Sequence, residues 1–269
     1  MVDLYTRIRD QPDDVLEVIA RSLELRAGEP AMQRMAAAYL GAAALPRAAR
    51  VLEIGCGNGA STRLLRENLD PAELVGLDPC EGLIARVPAS LRADPRLSFR
   101  RGEAGATAEP AQAFDAVVAH TVYSHLEDPA AALREAHRVL KPGGALAIFD
   151  GDYATITVAQ FDGDPLESAV AATIRHLIHA PYVMRHLPAL VGAAGFEVVT
   201  VTPHAYVPRE QPDYLLSLLG RGVQAAARAG EFGDALARGL HAEAERRVAA
   251  GTFYGAILFV SLLARKPSR

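Results

Sequence analysis

The sequence predicts an α/β fold built on a doubly wound, largely parallel sheet. Three observations carry that prediction. Short apolar runs alternate with helical stretches from residue 51 onward, a glycine-rich turn closes the first run, and an acid ends the second, 19 residues after the last glycine. With 269 residues, half of them hydrophobic, the chain reads as one large domain or one domain with an appended cap. A chain this long buries roughly 70–75% of its unfolded surface, so its core needs neither disulfides nor a structural metal.

The elements follow in order. Residues 12–27 read as an amphipathic helix, with Pro12 suited to a first helical position and Asp13 and Asp14 at the positive end of the dipole. Val15, Ile19 and Leu23 repeat at helical spacing. Gly28 and Pro30 break this helix, and a second runs from 31 to about 40. Strand-like runs lie at 51–54, 74–77, 97–100, 116–119 and 145–149, with helical stretches at 60–69, 81–91 and 130–140 between them. A helix at 183–194, closed by Gly195, leads to a strand at 196–201. A helical block at 212–250 then precedes a long apolar strand at 253–264.

Charge and composition narrow the function. Lys+Arg at 28 against Asp+Glu at 32 give a formal charge of −4 with no basic stripe, so no nucleic-acid partner is expected. Two cysteines, Cys56 and Cys80, make no disulfide framework, and as small residues at loop ends they need no redox role. No apolar run approaches the roughly 20 residues of a membrane span, and the N-terminal residues lack a secretory apolar region. The expectation is a soluble, reduced, cytoplasmic protein with no membrane partner that handles something small.

The most informative residues follow the first strand-like run. Glu53-Ile54-Gly55-Cys56-Gly57-Asn58-Gly59 is a glycine turn ahead of a helix, where a ligand can lie against the backbone beneath helix N-terminal amides. Asp78, at the end of Leu77-Asp78-Pro79, is placed to accept both hydroxyls of a ribose. The turn is neither Gly-x-Gly-x-x-Gly nor a phosphate loop ending in Gly-Lys-Ser/Thr. Its acid, Glu53, suits a ligand with cationic groups, either by direct contact or by hydrogen bonding to loop amides.

This stretch resembles motif I of the class I S-adenosylmethionine-dependent methyltransferases. The resemblance continues through Arg101-Gly102-Glu103-Ala104 and Phe114-Asp115-Ala116-Val117-Val118 to His125-Leu126-Glu127-Asp128-Pro129. It extends through residues 133–144, which end in Lys141-Pro142-Gly143-Gly144, then Ala194-Gly195-Phe196-Glu197-Val198 and Ala264-Arg265-Lys266-Pro267. Small-molecule enzymes of the ubiquinone/menaquinone-methylase and secondary-metabolite type are most similar in character. The resemblance implies a Rossmann-like seven-stranded sheet, six strands parallel and the last antiparallel, with helical caps. It implies S-adenosyl-L-methionine as cofactor, with Glu53, Gly55, Gly57, Gly59, Asp78, Pro79, Glu103, Ala104 and His120 at its site. Glu103 stands where the family more often has Asp against the adenine amino group.

Methyl transfer from a sulfonium is an in-line displacement, so positioning is the main task, and a base is needed only when the acceptor must lose a proton. Reacting groups in a parallel sheet belong at the carboxyl ends of strands. His120 is the first candidate there because imidazole titrates near working pH, its structural alternative being a bond to a backbone group. His125 and Asp152, with Tyr153 beside the latter, are further candidates on the acceptor side. His176 and His179 at i and i+3 on a predicted helix, with His186 beyond, permit a metal, but no partner acid or cysteine pair completes a ligand set, so none is expected.

Residues 1–45 are expected to form an N-terminal helical cap and 46–269 the catalytic domain, with an insertion at about 210–250 in the acceptor roof. Tyr5, Phe161, Tyr182, Tyr206 and Tyr214 either line that pocket or pack in the core. The expected reaction is methylation of a small-molecule acceptor, a bacterial secondary metabolite or biosynthetic intermediate, by a monomer or homodimer. A cofactor-binding fold with a non-methylating role and a nicotinamide-dependent oxidoreductase are the alternatives. The glycine spacing and the Lys141–Gly144 turn speak against the second.

Overall fold

The computed structural model describes residues 8–46, 48–208 and 211–268. The sheet is built outward from β1 (Arg50–Ile54), whose Val51, Leu52 and Ile54 are all buried, as a strand covered on both faces requires. On one side β1 pairs in parallel with β2 (Glu73–Asp78), which pairs in parallel with β3 (Leu97–Arg101). On the other it pairs with β4 (Phe114–His120), followed by β5 (Leu140–Thr157). The last two strands are β6 (Glu197–Tyr206) and β7 (Ala256–Arg265), with β7 inserted antiparallel between β5 and β6. The order is β3-β2-β1-β4-β5-β7-β6, the predicted seven-stranded arrangement with one antiparallel strand.

Helices cover both faces. In chain order they are α1 (Asp13–Gly28), α2 (Pro30–Ala42), α3 (Ala60–Leu69), α4 (Glu81–Ala85), α5 (Ala89–Arg92), α6 (Pro129–Val139), α7 (Leu166–Leu177), α8 (Val183–Ala193), α9 (Asp213–Arg228) and α10 (Asp234–Ala249). On one face Tyr39, Leu64 and Leu65 from α2 and α3 pack with Val51, Val118 and Phe149. On the other, Leu133, Ala136, Leu187 and Val191 from α6 and α8 pack with Leu52, Val117 and Ile148. Successive strand residues thus feed opposite cores, as the two-residue period of a strand dictates.

Several boundaries differ from the sequence expectation, each for a physical reason. The helix expected at 81–91 is two short helices, because Pro88 drives the residue before it out of helical conformation. The block at 212–250 is α9 and α10, separated at Gly230, whose φ of +76° ends the first helix. Strand β5 runs far beyond 145–149, to Thr157, because β7 offers it a ladder as far as Leu258 and Ala256. The same strand extends β6 through Pro203, a residue tolerated on an edge strand because its missing N–H is not needed outward. Helix α7 stops at Leu177, so His176 and His179 do not share a helix.

Strand order reverses between β1 and β4. In open parallel sheets the crevice outside the carboxyl ends at such a reversal is where ligands lie. No helix among the described residues is long and apolar enough to cross a membrane.

Candidate cofactor and acceptor site

The turn after β1 is shaped by its glycines. Gly55, Gly57 and Gly59 have φ of +74°, +53° and +85°, the left-handed region that side chains disfavour. Space is also short: a Cβ on Gly55 would stand 2.5 Å from Val122 Cγ2, and one on Gly57 2.8 Å from Leu23 Cδ1. The amides of Gly55 and Cys56 both donate to the Leu77 carbonyl, at 2.7 and 2.9 Å, which ties the turn to the end of β2.

Asp78 completes that tie. Its Oδ2 accepts the Gly57 amide and its Oδ1 the Cys80 amide, each at 2.8 Å. Each oxygen retains a free lone pair, so the carboxylate can brace the turn and still receive hydroxyls from the cavity it lines. Burial pushes its pKa up to about 6, against the two amide bonds.

Glu53 lies behind the turn and is fully buried, outside the cavity lining. Its oxygens accept the hydroxyls of Ser61 and Thr62, both at 2.6 Å, in the first turn of α3. Its partners are therefore side-chain hydroxyls rather than the loop amides that the sequence suggested, and burial raises it to about 7. Ser61 itself lines the cavity.

The cavity opens over the ends of β1, β2 and β4. Gly55, Gly57, Asn58, Asp78 and Pro79 form its floor, Glu103 and Ala104 one end, and His120, Thr121, His125 and Leu126 the other. Ile8 and α1 residues Leu23, Arg26 and Ala27 close it from above. Glu103 is half-exposed at the mouth and forms an ion pair with Arg9.

His120 is buried at the end of β4, where its Nδ1 is 3.0 Å from the Tyr39 hydroxyl. Its ring stacks on Phe149 and Tyr39, with centroids 4.8 and 5.9 Å away. Burial, assisted by the positive charge of Arg26, pushes its pKa down to about 3. The imidazole is therefore neutral and weakly basic at working pH, which corrects the expectation that it titrates there. His125 stands on a short 3-10 turn, Tyr123–His125, pinned by Asp150. Asp150 accepts the Ser124 amide at 2.9 Å and the Ser124 hydroxyl at 3.0 Å.

Asp152 is a correction. It lies within the continuing strand β5, where its Oδ2 accepts Arg185 Nε at 2.7 Å, and it is not among the cavity residues. Tyr153 is buried in the core against Phe259. Tyr206 and Tyr214 are likewise core residues, whereas Phe161 and Tyr182 are exposed and away from the cavity. Tyr5 lies outside the described residues. Gly59 shapes the turn without lining the cavity. Cys56 and Cys80 are buried, and burial raises both thiols, which works against a reactive thiolate.

The sequence reading missed Arg26. It continues the apolar stripe of Ile19 and Leu23 at helical spacing, and a cation inside such a stripe was the available signal. Among the described residues it is the only Lys or Arg that lines the cavity, and its guanidinium lies 5.8 Å from the Tyr214 ring centroid.

A cavity lined by a glycine turn, by the carboxylates of Asp78 and Glu103 and by a cation from α1 fits a nucleoside with a zwitterionic tail. It does not fit a pyrophosphate. Comparison with known proteins agrees. A family model described as a methyltransferase domain matches residues 52–148. The 2-phytyl-1,4-naphtoquinone methyltransferase of Thermosynechococcus vestitus is 33% identical over 175 residues, covering 59% of this chain and 77% of that protein. Among solved structures, the [4+2]-cyclase SpnF superposes with a TM-score of 0.58 at 23% identity, covering 88% of this chain and 82% of the other. Haemonchus contortus phosphoethanolamine N-methyltransferase 2 in complex with S-adenosyl-L-methionine gives 0.59 at 16% identity, over 99% of this chain and 60% of that one.

The chain belongs to the class I S-adenosylmethionine-dependent methyltransferases, and S-adenosyl-L-methionine is its cofactor. It spans between 42% and 63% of the length of several other curated relatives that it matches.

Proposed function

We propose that the chain transfers a methyl group from S-adenosyl-L-methionine to a small-molecule acceptor, a bacterial secondary metabolite or biosynthetic intermediate. The observation that carries this reading is the polarity of the cavity. Asp78 and the glycine turn stand at the β2–β1 side, and His120, Thr121 and His125 stand at the β4 side. When bound, the cofactor supplies an electrophilic methyl on a sulfonium, which the acceptor's nucleophile takes as the carbon–sulfur bond breaks and its electron pair returns to sulfur.

The chain's own residues bind, orient and exclude water. Asp78 would accept the ribose hydroxyls and Glu103 the adenine amino group, with Ala104 beside the ring. The glycine turn lets the backbone approach closely, and Glu53 supports it through Ser61 and Thr62. Pro79 closes the floor. His125, at the β4 side, is the candidate to take a proton from an acceptor that must lose one, while neutral His120 serves better as a hydrogen-bonding group. Residues 1–45 would be the cap, with α1 excluding water, and 46–269 the catalytic domain. Helix α9, packed against α1, would support the roof from behind. A small, largely apolar acceptor agrees with the apolar side chains of Ile8, Leu23 and Ala27 over the cavity, and the naphthoquinone in the name of one relative is of that kind.

A second reading, cofactor binding with a non-methylating role, draws on the weakly basic His120 and on the likeness to a [4+2]-cyclase. Calorimetric titration with S-adenosylhomocysteine, followed by acceptor screening with methyl-labelled cofactor, separates the two. Micromolar binding with label transferred supports methylation. Binding without transfer to any acceptor favours the second reading, and tighter binding of NAD(H) would sink both.

A further inference from the structure

We propose that Arg9 is a positioning residue for the purine end of the cofactor: it pins the Glu103 carboxylate and latches the segment from Ile8 to Leu16 across the mouth as a strap. The role rests on the cavity being the cofactor site, with Glu103 at the adenine amino group. The strap is seated on the turn after β2. Ile8 is buried against the cavity, and its carbonyl accepts the Cys80 thiol at 3.5 Å. Leu16 fills the space left by Gly82, where a Cβ would stand 2.5 Å from Leu16 Cδ1. Arg86 donates to Asp13 Oδ1 at 2.6 Å and to Glu17 Oε2 at 3.2 Å, which fixes the start of α1 beside the same turn. Arg9 carries the strap on to the residues after β3, where its guanidinium donates to Glu103 Oε1.

Two features of Glu103 call for a pin. A glutamate has one more rotatable bond than an aspartate, so the backbone places its carboxylate less closely and a partner must do so. Glu103 also lies near enough to Asp78 for the two negative charges to oppose each other, and a guanidinium beside it offsets that repulsion. Pinning does not consume the acid. A carboxylate offers acceptor sites on both oxygens, so Oε1 can hold Arg9 while Oε2, which has no partner among the described residues, receives an amino group. In the free chain the pair is half-exposed and contributes little, whereas a purine laid against it excludes water and strengthens it.

Titration calorimetry on the full chain tests this with S-adenosylhomocysteine and S-inosylhomocysteine, whose purine carries a carbonyl oxygen in place of the amino group. Arg9→Met should weaken S-adenosylhomocysteine by about 5- to 10-fold and leave the inosine analogue within about twofold. Arg9→Lys keeps the charge and should recover part of the loss. In a Glu103→Gln background, Arg9→Met should cost no more than about twofold, because the pin has lost its partner. Stopped-flow displacement should place the loss in a faster dissociation, as a strap that closes after the ligand has entered requires. Equal losses on both ligands, additive losses in the double variant, or no loss in Arg9→Met would overturn the pin, and a loss confined to association would overturn the strap. A wild-type chain that binds neither ligand would overturn the reading of the cavity itself, and one that binds both equally would overturn the place of Glu103. Both outcomes are distinct from a wild type that prefers S-adenosylhomocysteine and is indifferent to Arg9.

Discussion

The Gly57 amide donates to Asp78 Oδ2 at 2.8 Å, so the acid that ends the second strand is a brace of the glycine turn as well as a wall of the cavity. Two roles in one side chain mean that a substitution at Asp78 is felt by the ligand and by the fold. Asp78→Ala is expected to weaken S-adenosylhomocysteine binding by about 2–3 kcal/mol and to lower stability by about 1–3 kcal/mol, as the two amides lose their acceptor. Asp78→Asn keeps one acceptor oxygen and should lose less stability. Titration calorimetry and urea unfolding read the two effects apart, and unchanged affinity in Asp78→Ala would remove the ribose assignment.

Glu53 sets a pH dependence. An acid whose folded pKa is raised to about 7 from its ordinary 4.5 keeps its proton longer in the folded chain than in the unfolded one. Its contribution is therefore most favourable below 4.5 and is lost as pH rises toward 7. The wild-type protein should lose about 3 kcal/mol from this group across that interval. Glu53→Gln, whose amide can still bond the Ser61 and Thr62 hydroxyls, should not. Urea unfolding of both proteins from pH 4.5 to 8 gives the difference, and parallel curves would reject the buried titration.

His120 is expected to stay neutral from pH 5 to 8, because burial holds its pKa near 3. In ¹⁵N-histidine spectra its ring should show one tautomer, protonated at Nε2, with no titration in that range. Tyr39→Phe removes the partner of Nδ1 and should mix the tautomers while costing about 1–2 kcal/mol of stability. A His120 signal titrating near pH 6.5 would restore it as a candidate base.

Gly55→Ala combines a φ of +74° with a Cβ only 2.5 Å from Val122 Cγ2. The backbone strain and the overpacking together should cost about 2–4 kcal/mol. Gly28→Ala is the control: it meets nothing within 4 Å at the end of α1, and is expected to be neutral or slightly stabilising. Equal melting temperatures for the two variants would contradict the tightness of the turn.

Arg247 and Asp164 form a buried pair, with nitrogen–oxygen distances of 2.7 and 2.9 Å, that joins α10 to the segment entering α7. Breaking it by Arg247→Met leaves the buried carboxylate with the Gln160 and Leu166 amides but without its cation, and should cost about 3–5 kcal/mol. Arg247 holds Asp164 down to about 2, so this support is present above pH 3.8 and fades as pH falls through 2. A chemical denaturation midpoint unchanged in the variant would show the pair to be dispensable.

The order of strands and helices, the glycine turn and the place of Asp78 were legible because each depends on neighbours close in sequence. Apolar runs, turn glycines and an acid at a strand end are local signals for Gly55, Gly57, Asp78 and Pro79, the strand end pointed to His120 and His125, and the family resemblance added Glu103 and Ala104; all of them line one cavity. Pairing between distant segments carries no such signal. Asp152 read as a strand-end acid facing an acceptor because β5 was expected to stop near Phe149, and only the ladder with β7 carries that strand onward.

By itself, then, the sequence determined the alternation of strands and helices, the glycine turn and the acid at the end of the second strand, since backbone conformation and apolar periodicity act over a few residues. The tertiary structure alone decided the electrostatics of the site. It brings Arg26 from α1 over the end of β4, sets Tyr39 against His120, and buries Glu53 against two hydroxyls. Charge state follows desolvation and through-space partners, and those exist only once segments distant in the chain have packed together.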